Sequence, residues 1–348
     1  MKEKIKQMAM DIGFDLAGVA RARPLPEQEK HLRQWLAHGR QADMHFLQET
    51  VDERVNPELL LPGAQSVIML AMSYAQEAPD LSRLSGMPEG RVARYALGKD
   101  YHYVLVPRLA KLAAYISELS PGAQCRCFVD SGPLLERAYA REAGIGFIGK
   151  NNCLIHPVHG SWLVLGAIVA TVPLEPDYPM EDQCGDCERC LRACPTGALE
   201  KAYTLNARKC FSYLTIEHHG AFPEQYEECL GMRLFGCDSC QACCPFNRDT
   251  PGCQNPELMP AADPEGDSID GGNASLSRIL GIGSNRDFQK RLSQSPMLRA
   301  RRRGLLRNAI IVAGNQKRTD LNNILFRIRD DASESDLLRA TAERILRC

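Results

Sequence analysis

The residues best suited to chemistry are cysteines, and most of them lie between Cys184 and Pro245. The first motif reads Cys184-x2-Cys187-x2-Cys190-x3-Cys194-Pro195. That spacing serves paired iron-sulfur clusters, with the cysteine before the proline ligating the second cluster. A second motif reads Cys237-x2-Cys240-x3-Cys244-Pro245. Aligning the two Cys-Pro endings sets Cys237 level with Cys187 and Cys240 level with Cys190, and leaves Leu234 where a partner of Cys184 is required. Cys210, in the intervening stretch, is the candidate for the missing ligand. Crossed ligation then assigns Cys184, Cys187, Cys190 and Cys244 to one cluster and Cys194, Cys210, Cys237 and Cys240 to the other. Cys229 and Cys243 are left over.

Structural zinc also uses Cys-x2-Cys pairs, but a third cysteine at the same interval and a Cys-Pro close fit a tetrahedral ion poorly. A disulfide framework is disfavoured by the length of the chain and by the crowding of cysteines into one region. Asp130 is the other residue that stands out, following the predicted strand Gln124–Val129 and preceding Ser131, Gly132 and Pro133. Strand ends facing helix starts are where α/β folds place ligands. They are equally where Asp130 or Ser131 would cap the next helix, and both readings stay open. Gly144-x-Gly146-x-x-Gly149 matches a dinucleotide fingerprint in letters, but that motif must follow a strand and open a helix. Here a predicted helix precedes it and an extended segment follows, so these glycines read as a helix stop and tight turn. His102, His156, His159, His218 and His219 show no paired metal spacing.

The elements that position these residues follow from periodicity. Ile5, Met8, Ala9 and Ile12 recur at helical spacing before a strand at Asp15–Ala20, and Glu29–Ala37 reads as a second helix. Ser66–Met72 is a buried strand, Pro79–Gly90 a loop, Val104–Ser117 an amphipathic helix, and Pro133–Ala143 a helix with Pro133 in its first turn. Cys153–His156 and Trp162–Thr171 read as a hairpin turning at Pro157–Gly160. Together they predict an α/β sandwich over 1–174. Glu175–Pro179 reads as the linker to a cluster module over 175–255, and Asn255–Asn273 as a polar surface loop. From Asp287 the pattern turns helical, and Leu305–Val312 and Leu337–Leu346 suggest a short helical repeat within 256–348.

The chain has 348 residues, 15 cysteines and a formal net charge of −1, so overall charge says nothing about an anionic partner. Its distribution says more. Arg286, Lys290, Arg291, Arg299, Arg301, Arg302, Arg303 and Arg307 fall in one window with Asp287 the only acid among them; such a window either binds phosphates or forms a solvated helix face. Lys2, Lys4 and Lys6 are followed by Asp11 and Asp15 rather than by an apolar run, and Trp162–Val172 is too short to cross a bilayer. A cytoplasmic protein without membrane contact is expected.

Several motifs together resemble epoxyqueuosine reductase, the cobalamin-dependent iron-sulfur family of tRNA queuosine synthesis. They are Arg54-Val55 with the Leu59-Leu60-Leu61-Pro62 turn, Gly98-Lys99-Asp100-Tyr101-His102, Val129-Asp130-Ser131-Gly132, and Ala143-Gly144-Ile145-Gly146-Phe147 with Lys150-Asn151. Leu205 to Cys210, Ser212 to Thr215, Phe235-Gly236-Cys237-Asp238 and Arg307-Asn308-Ala309 also match. The resemblance implies a multidomain α/β (α+β) protein with a nitroreductase-like cobalamin-binding domain, a ferredoxin-like domain with two 4Fe-4S clusters, and a C-terminal helical, HEAT-like region. It implies Asp130 as proton donor. It sets Arg54, Ala93, Asp130, Asn151, Leu154, Leu165, Ser212, Cys237 and Asp238 around the cobalamin, and turns Arg137 and His218 toward tRNA. Asp43-x-His45 and Asp100-x-His102 lack the glycine of histidine-on cobalamin motifs, which agrees with a base-off cofactor. The implied partners are tRNA carrying epoxyqueuosine at the wobble position and an unidentified electron donor. A reductive dehalogenase-like corrinoid enzyme acting on a small molecule is the alternative, and a polyferredoxin-like carrier the non-enzymatic one.

Overall fold

The computed structural model describes residues 1–76, 90–260 and 273–347. Its main sheet joins β1 (Leu16–Arg21), β2 (Ser66–Ser73), β3 (Cys125–Phe128) and β4 (Leu163–Ala170) in the order β1-β2-β4-β3, every pair antiparallel. Both faces are covered. Ile68, Leu70 and Met72 of β2 pack with helices α1 (Lys2–Asp11) and α2 (Tyr101–Leu119), whereas the alternate residues Val67, Met69 and Ala71 pack with helix α3 (Glu136–Glu142). A strand buried on both sides must be apolar at every position, and β2 reads Ser-Val-Ile-Met-Leu-Ala-Met-Ser with all eight residues buried. The end of α3 lies so close to β1 that a Cβ on Gly18 would sit 2.1 Å from the Ala143 carbonyl oxygen. Only glycine allows that approach.

A second core has no counterpart in the sequence reading. Val92, Ala96 and Leu97 share it with Phe211 and Leu214 of helix α4 (Phe211–Ile216), with Leu234 and Phe235, and with Leu305, Leu306, Ala309 and Ile310 of helix α5 (Arg301–Asn315). A small sheet stitches the same segments, Arg233–Phe235 pairing parallel and Asn273–Ala274 antiparallel with Gly90–Val92. The cluster module and the C-terminal helices therefore bury their apolar faces against each other.

Four sequence expectations change. The helix expected from Pro133 begins at Glu136, because residues 131–134 form a bent loop. The expected hairpin is absent: Leu154–Ile155 pairs with Phe147–Ile148, a lone His156–Gly160 bridge closes the turn, and Leu163–Ala170 enters the sheet between β2 and β3. Its apolar run supplies the burial that a central strand requires. Within the expected loop at 255–273, Pro256–Leu258 forms a helical turn with Leu258 buried; residues 261–272 lie outside the described residues, as do 79–89 of the loop expected at Pro79–Gly90. Lastly, the basic window is not uniformly a solvated face. Arg302 pairs with Glu334 at 2.5 Å with its side chain only 12% exposed, and Arg307 is wholly buried.

Arg307 and its neighbour Asn308 bind the core together. The guanidinium donates to the carbonyls of Leu214 (2.6 Å), His218 (2.8 Å) and Gly220 (2.6 Å) and to Asn308 Oδ1. Asn308 Nδ2 donates in turn to Thr215 (2.9 Å) and Leu234 (3.0 Å) carbonyls. The last carbonyls of a helix such as α4 have no partner within it, and a cation near them is favoured by the helix dipole. Burial pulls the Arg307 guanidinium down to about 10, still far above neutrality, so the charge is retained. Each buried carbonyl left without a donor costs roughly 1–3 kcal/mol. Arg307→Met should thus lower the thermal midpoint of anaerobically purified protein by roughly 5 °C or more, while Arg301→Met, on an exposed residue, should shift it by no more than about 2 °C.

Candidate functional site

Cys184, Cys187, Cys190 and Cys244 converge on one cavity of about 240 Å³, lined also by Lys150, Asn151, Ile155, Arg189, Pro245 and Phe246. The Lys150 backbone N–H points at Cys184 Sγ from 3.5 Å, and its Nζ is tied to the Gly185 carbonyl at 2.6 Å. The remaining four form a second group: Cys210 lies within electrostatic reach of Cys237 and Cys194, and Cys240 within reach of Cys237 and Cys210. Burial pushes the Cys184 and Cys210 thiols up to about 11, so without a metal they stay protonated. Bound iron reverses that preference by deprotonating a ligating thiol. Cys210 directly precedes α4, whose Ser212 and Tyr213 amides face its sulfur and favour the thiolate. Among the described residues no group of three or more His, Cys, Asp or Glu converges on a single ion. The two cysteine sets fit clusters.

Asp130 closes β3 in the left-handed region, φ +48°, a conformation aspartate tolerates better than most residues. It caps nothing: α3 starts beyond Leu135 with no side-chain cap, which removes the capping alternative. Its backbone N–H donates instead to Glu136 Oε1 at 2.8 Å. Near its exposed carboxylate stand Tyr101, whose hydroxyl burial and the charge of Asp130 keep protonated, and His102, whose Nε2 lies 4.0 Å from Oδ2. The other ring nitrogen of His102 is held by Asp100 at 2.7 Å, and that bond raises the imidazole above its ordinary value. Burial, aided by the charge of Asp130, pushes Glu136 up to about 8. Arg54, also buried, faces both carboxyls, and its Nε donates to Thr50 Oγ1 at 2.9 Å.

The residues expected around a corrinoid form two walls. Ala93 and Asp238 belong to the wall carrying Cys237: the Ala93 N–H donates to Phe235, Asp238 accepts the Arg94 N–H at 2.9 Å, and left-handed Gly236 abuts Ala93. Arg54, Leu154 and Leu165 lie on the side of the main sheet, near Leu134 and Leu135. Tyr95 lies between them in the chain's packing, its ring edge-on to Tyr101 at 6.3 Å and tilted against Phe235 at 6.2 Å, and burial together with the charges of Asp130 and Asp238 keeps its hydroxyl protonated. Asn151 ties the walls together, donating to the Cys240 carbonyl at 3.2 Å. Its neighbour Asn152 is left-handed, accepts a bond from Arg137, and carries a buried Nδ2 with no acceptor. A buried donor without a partner calls for one from outside the chain, so the region fits a bound polar group. Ser212 lies apart, beside Cys210.

Arg137 is exposed, free to meet a partner beyond its bond to Asn152. His218 has both ring nitrogens engaged, with Asp43 at 3.0 Å and the Ala221 carbonyl at 2.8 Å; His219 instead sits among Arg301, Arg303 and Arg307. Arg299, paired with Glu217 at 2.8 Å, extends the same basic edge toward Asp130 and Tyr101. Nothing in the sequence singles out Tyr101, Glu136 or Tyr95 for this site. The first is visible only as part of the Gly98-to-His102 run, and the others carry no local signal, because only the folded chain brings them to Asp130.

Comparison with known proteins gives a concordant result. The family model described as epoxyqueuosine reductase QueG matches residues 54–131, and that of a 4Fe-4S double cluster binding domain matches residues 183–247. An epoxyqueuosine reductase from Xanthomonas campestris pv. campestris is 40% identical over 316 residues, covering 90% of this chain and 86% of its own. An epoxyqueuosine reductase solved with an epoxyqueuosine-modified tRNA-Tyr stem loop superposes with a TM-score of 0.89 at 32% identity, over 99% of this chain and 89% of that one. The Bacillus subtilis enzyme, with its catalytic aspartate loop swung out of the active site, superposes with a TM-score of 0.88 at 33% identity and equal coverage. The double-cluster module and the α/β layers around Asp130 thus occur together in one known arrangement, and the chain belongs to the epoxyqueuosine reductase family.

Proposed function

We propose that this reductase deoxygenates epoxyqueuosine in tRNA at the space between the Asp130 loop and the Cys237–Asp238 wall. The observation that carries this reading is an exposed Asp130 beside His102, 4.0 Å away, in a chain that also carries a 4Fe-4S double cluster module over residues 183–247. The reaction consumes two electrons and two protons: the epoxide loses its oxygen as water and the ring carbons gain a double bond. Arg54, Ala93, Asn151, Leu154, Leu165, Cys237 and Asp238 would hold a cobalamin, which when bound would supply a strongly reducing metal centre. Cys184, Cys187, Cys190 and Cys244, with loop residues 181–189 largely exposed, would hold the cluster open to an unidentified electron donor. Cys194, Cys210, Cys237 and Cys240 would hold the second.

Asp130 delivers a proton to the departing oxygen. A base docked over the exposed Asp130 carboxylate would exclude water from it. The stem-loop partner of the related structure fits the edge formed by Arg299, Arg301, Arg303 and Arg137, with Arg302 and Arg307 reserved for the fold. No helix among the described residues is long and apolar enough to cross a membrane, and the cytoplasm suits oxygen-sensitive clusters.

Three measurements test this reading. Cys210→Ala should remove about one of two clusters, read as iron and labile sulfide after anaerobic purification, and Cys243→Ala should keep both; the reverse pattern refutes the crossed ligation. Asp130→Asn should keep clusters and tRNA affinity yet lose on the order of 10²-fold or more in deoxygenation followed by nucleoside mass spectrometry. Full activity in that variant would move the proton donor elsewhere. Replacing Arg299, Arg301 and Arg303 together with alanine should flatten the slope of log affinity for tRNA against log salt by roughly two to three units. An unchanged slope returns this edge to plain solvation.

A further inference from the structure

Residues 130–134 follow the edge strand β3 without regular structure, and Asp130 adopts a backbone conformation that favours glycine. Something must hold it there. The neighbouring backbone contacts are local, Ser131 to Val129 and Leu134 to Gly132. The bond that reaches across the loop runs from the Asp130 N–H to Glu136 Oε1, 2.8 Å away. Glu136 opens α3, and that helix is fixed: Leu135 donates to the Arg54 carbonyl at 3.0 Å, and Tyr139, fully buried, donates to the Val55 carbonyl at 3.0 Å. The Glu136 carboxyl is thus a stationary acceptor beneath a loop with few other ties.

We propose that Glu136 is the positioning residue of the Asp130 loop, its carboxyl oxygen holding the Asp130 amide so that the Asp130 carboxylate faces the reaction space. Losing that bond frees the loop to leave the site. The inference rests on the reading of Asp130 as proton donor only for its catalytic consequence; the hold on the loop is independent of it. The role requires an acceptor oxygen and no charge. Burial and the charge of Asp130 favour the protonated acid at neutrality, with the bond from the Asp130 amide, Arg137 and His102 opposing, and the carbonyl oxygen of that acid accepts an amide as a carboxylate does. Glutamine offers the same oxygen in the same place.

The experiment compares wild type, Glu136→Gln and Glu136→Ala as anaerobic holoprotein, after cluster content and thermal midpoint confirm folding. Hydrogen-deuterium exchange over residues 128–135 should be faster by roughly 10-fold or more in Glu136→Ala and within about 3-fold of wild type in Glu136→Gln. Single-turnover deoxygenation should fall about 10-fold in the alanine variant, with tRNA affinity held within about 3-fold, and recover in the glutamine variant. Unchanged exchange in Glu136→Ala overturns the proposal, as does a glutamine variant that exchanges as fast as alanine. Faster exchange in Glu136→Ala with undiminished turnover upholds the hold on the loop and instead removes Asp130 from the chemistry.

Discussion

A buried cation, Arg307, governs this structure. Its guanidinium and the adjoining Asn308 amide supply donors to the carbonyls of Leu214, Thr215, His218, Gly220 and Leu234. These groups surround α4 and the strand that runs into Cys237. The other end of α4 turns its amides toward Cys210, and the Thr215 hydroxyl accepts the Gly236 N–H at 2.9 Å. One charge on a C-terminal helix therefore sets the shape of the loop that holds half of a cluster site. An isolated buried charge is costly, but one surrounded by oriented carbonyls is satisfied, and the cost falls instead on any state in which those carbonyls are missing.

Much of this site was legible in the sequence because cluster ligation is written in spacing. The two Cys-Pro endings expose the ligand gap at Leu234, and the structure gathers Cys184, Cys187, Cys190 and Cys244 about one cavity and leaves Cys210 beside Cys194 and Cys237. The glycines from Gly144 to Gly149 likewise lie where a helix stops, with Gly144 left-handed and a short strand from Phe147. The order of helix and strand had pointed to a helix stop and tight turn without any knowledge of contacts.

What stayed hidden depended on how the chain folds back on itself. Arg307 reads as one basic residue among several, since a run of arginines does not reveal which of them turn inward. The strand at Leu163–Ala170 was correctly located and wrongly partnered, for an apolar run announces burial and leaves its neighbours unspecified. Glu136 is an ordinary first-turn acid in sequence, and its carboxyl becomes unusual only because the chain returns above it at Asp130.

The three-stranded sheet of Gly90–Val92, Arg233–Phe235 and Asn273–Ala274 also bears on how the molecule is made. Its strands come from segments far apart in the chain, so closing them carries a loop entropy that no contact offsets until all three are present. The antiparallel layer around β2 needs nothing beyond β4 and is complete much earlier in synthesis. A nascent chain that has just displayed its last cluster cysteine still lacks both the third strand and the helix bearing Arg307. Its metal-binding loops are at that moment long, polar and unrestrained. Iron and sulfide delivered then would meet thiols free to pair in many ways, so faithful maturation is favoured by delivery after the C-terminal helices have docked.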